Sequence, residues 1–89
     1  MDMRAENDAF RNTFKGGEVV LSASVEELPD MVKSSALQMV ADFKDFNEEN
    51  DPWEEHSYGS FNHCNREFFF SIERIDGTQV MTVGLTMDW

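Results

Sequence analysis

His56 follows Glu55 directly and Asp51 by five positions, and His63 lies seven residues further on. Carboxylates and imidazoles gathered on one loop can exchange protons near neutral pH or hold a divalent cation. Asp51, Glu55 and His56 are therefore the candidate set for metal-assisted or acid–base chemistry. The set lacks a third dedicated ligand, and Asn50, Asp51 and His56 have an architectural role open to them: side-chain bonds to the backbone that tie the loop down and cap adjoining elements. Cys64 is the single cysteine, so the chain has no internal disulfide and no multi-thiolate metal site. On a strand, its neighbour His63 points to the opposite face and cannot act as its base. No residue is assigned as catalytic, cofactor-binding or metal-ligating.

The stronger signal is charge. Eighteen acidic residues against seven basic ones give a net charge of −11 over 89 residues. From Glu26 to Glu55 the chain carries ten carboxylates and only two cations, Lys33 and Lys44, while the remainder is close to balanced. A field of this sign draws in basic partners and repels nucleic acid and anionic membranes. The run Phe68-Phe69-Phe70 would suit base stacking, but stacking under this charge would oppose the phosphate field, and at least two of the rings read as core.

These residues need a scaffold, and the length allows one domain spanning 1–89. With 40% hydrophobic and 12% aromatic residues, the chain can offset its ordering entropy by burial. The spacing of Met3, Phe10 and Phe14 predicts a helix over 2–14, stopped by Gly16-Gly17. A β-branched cluster predicts a strand over 19–24. Val32, Ala36, Met39, Val40 and Phe43 predict a second helix from Pro29 to about residue 46, leading into an acidic loop over 47–55. Asp51 before Pro52 is sterically turned away from helix.

Asp76-Gly77 predicts a two-residue hairpin turn that sets Phe68 against Leu85, Phe70 against Val83 and Ile72 against Met81 on one apolar face. A third strand over 58–62 turns through His63-Cys64-Asn65. The expected class is α+β: an antiparallel sheet of three to four strands with two helices packed on one face. With no continuous apolar stretch near Met1, the expected location is the cytoplasm.

Asn7-Asp8-Ala9-Phe10-Arg11, then Gly17 with Val19-Val20-Leu21, then the run from Phe43 to Gly59 that contains Asn50-Asp51-Pro52-Trp53-Glu54-Glu55-His56, resemble a bacterial family, domain of unknown function 3768. Its pattern reads approximately F-x-D-F-x-x-x-N-D-P-[YW]-G-E-H-D-F-G, followed by two strands that 69–76 and 78–85 match in position. The resemblance implies no activity. The chain departs from the pattern at Glu54, where glycine is expected, at Ser57, where an acid is expected, and at Ser71, Arg74 and Ile75 in the next strand.

The acidic run and its rings define the expected binding surface: Asp42, Asp45, Glu48, Glu49, Asp51, Glu54 and Glu55, with Trp53 and Tyr58 adding apolar contact. The expected function is to bind and inhibit a basic, nucleic-acid-handling protein or complex by imitating nucleic acid, without catalysis and without a cofactor. In size and charge the chain is similar in character to anti-defence proteins, including anti-CRISPR inhibitors that block an effector's DNA channel. The alternatives are the Asp51/Glu55/His56 enzyme, and an acidic adaptor or structural dimer.

Overall fold

The computed structural model describes residues 3–49, 51–52 and 54–88. In chain order the elements are helix α1 (Met3–Thr13), strand β1 (Gly17–Leu21), the short helix α2 (Ala23–Glu26), helix α3 (Asp30–Ala41), strands β2 (Tyr58–His63), β3 (Arg66–Ile75) and β4 (Thr78–Leu85), and a closing 3₁₀ turn (Thr86–Asp88). Asp76 and Gly77 both have positive φ, 50° and 82°, as a tight hairpin turn of this type requires. That turn fixes the expected register: Phe68 opposite Leu85, Phe70 opposite Val83, Ile72 opposite Met81. Cys64 and Asn65, at φ 53° and 62°, make the equivalent turn between β2 and β3.

The fold is α+β, with a sheet in the order β1-β4-β3-β2. Three strands run antiparallel, and β1 adds to β4 in parallel, with Val19 beside Met81 and Leu21 beside Val83. A parallel neighbour needs a crossover, and α2, α3 and the acidic loop supply the chain between β1 and the hairpin. One sheet face carries the core. Phe70, Ile72, Met81 and Val83 lie with Phe10, Val40 and Phe43, while Phe68 and Leu85 lie with Val25 and Ala36. Each fully buried large side chain contributes roughly 1.5–3 kcal/mol of transfer free energy.

Boundaries shift where a local contact outcompetes periodicity. The first strand ends at Leu21 rather than 24, because Ser22 caps α2, its Oγ accepting from the Val25 N–H at 3.3 Å. The second long helix ends at Ala41 rather than near 46. Phe43 and Phe46 keep helical spacing but reach the core from irregular chain, and the Phe43 carbonyl is taken by Arg11. Gly59 lies under two rings: an added Cβ would stand 2.6 Å from Phe70 and 2.7 Å from Phe43. Gly59→Ala is expected to destabilise by about 1–3 kcal/mol through overpacking, read as a lower urea midpoint with an unchanged slope.

Candidate functional site

The acidic loop is held by a buried carboxylate. Asp51 is 7% exposed, and its Oδ1 accepts from the N–H groups of Glu55 (3.0 Å) and His56 (3.1 Å). Its carbonyl accepts from the Glu54 N–H and its own N–H donates to the Asn47 carbonyl. Between these bonds Glu54 and His56 both sit in the left-handed region, at φ 55°. A side chain in that conformation costs roughly 1–2 kcal/mol. Glycine adopts this conformation freely; at position 54 the loop holds a carboxylate instead.

His56 locks the loop to α1. Its Nδ1 lies 2.9 and 3.1 Å from the two Asp8 carboxylate oxygens, and its Nε2 lies 3.7 Å from Asp51 Oδ2. Phe46 stacks on the imidazole, with centroids 3.9 Å apart and planes 4° off parallel. Both ring nitrogens thus face carboxylates and one face is covered, so the imidazole bridges α1 and the loop as a clamp. Arg11, buried at 4% exposure, donates to Asp8 at 2.8 Å and to the Phe43 carbonyl at 3.3 Å, with its guanidinium 5.0 Å from the Phe46 centroid and 5.8 Å from that of Phe70. Its Nε finds no acceptor among the described residues. The two rings give that cation a favourable, partly dry setting. Asn7, also buried, donates to the Glu55 carbonyl at 2.9 Å and accepts from Gln79 at 2.7 Å.

Burial alone would raise the Asp8 pKa, but hydrogen bonds from His56 and Arg11, with their positive charge, hold it below its ordinary value of 3.8. A carboxylate depressed in the folded state adds stability above its unfolded pKa, and that stability is lost as pH falls through the folded value. Asp8→Asn should therefore be less stable than the native chain at about pH 5, and the gap should close by about pH 2. Thermal unfolding of both proteins across that range is the check; a gap independent of pH would contradict it.

The expected surface residues divide. Asp42, Asp45, Glu48, Glu49 and Glu54 are exposed, at the C-terminal end of α3 and on the loop. Asp51 is turned inward and does not belong to that set. Glu55 is half-buried and contributes its backbone to the clamp. Tyr58 lies on the sheet face away from the helices, stacked with Phe69 at 6.3 Å. Trp53, like Asn50, lies outside the described residues. Glu26, Glu27 and Asp30 sit at the other end of α3, about 18 Å away at 1.5 Å per residue, and Lys33 pairs with Glu26 and Asp30 at 3.8 Å. The exposed acids of the run thus fall into two groups, five at the C-terminal end of α3 and on the loop and three at its N-terminal end.

Of the enzyme set, Asp51 and His56 do meet, with Asp8 added from α1. Beyond the local Asp8–Arg11 pair, the contacts that tie Asn7, Asp8 and Arg11 into the site lie 32 to 72 residues away and left no spacing signal in the sequence. Among the described residues no group of three or more His, Cys, Asp or Glu is placed to hold a metal ion, and no helix is long and apolar enough to cross a membrane. Neither the curated proteins nor the solved structures contain a match to this chain. The family model described as protein of unknown function (DUF3768) does match, over residues 21–86, leaving the clamp's α1 residues outside the matched stretch. The chain belongs to that family.

Proposed function

We propose that this chain is a binding protein that inhibits a basic, nucleic-acid-handling protein or complex by occupying the surface where nucleic acid would lie. The observation that carries the reading is the exposed group Asp42, Asp45, Glu48, Glu49 and Glu54, set on a loop that Asp51, His56, Asp8 and Arg11 hold in one shape. Carboxylates on a held backbone suit this task because a pre-ordered loop loses little entropy on binding. Glu54 adds to the argument, since its charge is carried at a backbone position that favours glycine. Among the described residues, Arg4, Arg11 and Lys44 are the cations that border the same end of the molecule, and Arg11 is paired with Asp8, which leaves the group acidic in balance.

The mechanism is competition. Lys and Arg in the partner's groove exchange phosphates for carboxylates, and the displaced polyanion carries its counterions away. Capture on the immobilised protein from bacterial lysate, washed at low and then high salt with and without added DNA or RNA, tests it. The expected result is a basic nucleic-acid-binding protein that salt and nucleic acid both release. Retention unaffected by either would overturn the reading.

A further inference from the structure

The two edges of the sheet are guarded differently. β1 is five residues long and carries Glu18, and short charged edges resist pairing. From Ser57 to Asn65 the chain has no Asp, Glu, Lys, Arg or Pro. In the β2–β3 ladder the Cys64-Asn65 turn closes on His63 and Arg66, and at the far end the Ile72 N–H donates to the Ser57 carbonyl. Hydrogen-bonded pairs therefore fall at 59/70 and 61/68, which directs the N–H and C=O of Ser60 and Asn62 outward. Among the described residues, no helix or loop backbone group bonds to these two.

A groove runs beside this edge. Met39, Phe43 and Phe61 line it with Asp42, Lys44 and Asp45. On α3, Met31, Ser35 and Met39 follow one another at four-residue intervals; Ser35 Oγ meets His63 Nε2 at 2.6 Å, and Met31 is 85% exposed. Methionine side chains repack around varied partners.

We propose that the outer edge of β2 receives an extended segment of the basic partner, added as a fifth strand. The segment's main chain bonds to Ser60 and Asn62, its alternate apolar side chains enter the Met39–Phe43–Phe61 groove, and its Lys or Arg side chains reach Asp42 and Asp45. The inference rests on the acidic-binding reading and specifies how the partner is held. A second copy of this chain fits the edge less well. It would bring −11 against −11 and set two Asp42–Asp45 pairs near one another, whereas a cationic strand neutralises them.

The test uses a short synthetic peptide of alternating valine and lysine, added to the isotope-labelled protein and followed by amide NMR and hydrogen exchange. Saturable binding with slowed exchange at the Ser60 and Asn62 amides is expected. Ser60→Pro removes one outward N–H and leaves the β3 ladder intact, so it should weaken binding about tenfold. Met39→Lys, an independent change in the groove, should weaken it too. Shifts confined to the loop with exchange at Ser60 and Asn62 unaltered, or unchanged binding by both variants, would overturn the proposal. Protection at these amides that rises with protein concentration in the absence of peptide would overturn it in favour of self-pairing. If both variants bind unchanged while charge reversal on the loop abolishes competition with nucleic acid, the edge is wrong and the acidic surface stands. If the peptide protects the edge while charge-reversed protein still competes fully, the edge stands and the imitation of nucleic acid is wrong.

Discussion

Asp51→Ala should lower the unfolding free energy by about 3 kcal/mol, and the Tm by roughly 12–24 °C for a chain of this size. Two backbone N–H groups, at Glu55 and His56, would lose a charged acceptor in a place where water scarcely reaches. The left-handed conformations at Glu54 and His56 would lose the bonds that hold them, and His56 Nε2 would lose its nearby carboxylate. Asp51→Asn keeps one acceptor oxygen and should cost only about 1 kcal/mol. Chemical unfolding of the three proteins is the check; a loss under about 0.5 kcal/mol for the alanine variant would mean that the loop is held elsewhere.

Reversing Asp42, Asp45, Glu48, Glu49 and Glu54 together to lysine is expected to weaken partner binding by about 5 kcal/mol, more than a thousandfold in Kd. Each exposed pair is worth only about 0.5 kcal/mol, and reversal replaces that attraction with repulsion of similar size, so the change per residue is about 1 kcal/mol. A single neutral replacement, which loses only the attraction, should weaken binding about twofold, and a single reversal about fivefold. The five positions are exposed, and Glu54 lends the clamp only its backbone N–H, which lysine keeps, so the fold should survive. Titration by calorimetry, with circular dichroism as the folding control, separates a lost surface from a lost structure.

The hairpin was readable because two independent signals agree: Asp76-Gly77 demands a tight turn, and only one register then puts Phe68, Phe70, Ile72, Met81, Val83 and Leu85 on one face. β1 was recognisable as a strand, but nothing in five residues states that its neighbour is parallel. The expected helix runs past the end of α3 because Phe43 and Phe46 satisfy helical spacing while entering the core from irregular chain. At the site, Asp51 and His56 stood out as a motif, and the local bonds of Asp51 to the loop were foreseeable from its type and place. The contacts of Asp8 with His56 and of Arg11 with the Phe43 carbonyl were not, because bonds between a first helix and a distant segment leave no periodicity behind. Charge counting gave the acidic run, while only the coordinates turn Asp51 inward and divide the remaining acids between the two ends of α3.

The most direct test of the acidic surface is mutual exclusion. With the captured partner bound to a fluorescent nucleic acid, addition of the native protein should release the label completely, with a midpoint that moves to higher protein concentration as nucleic acid is raised. A stable complex containing the partner, the nucleic acid and this protein together would contradict the account.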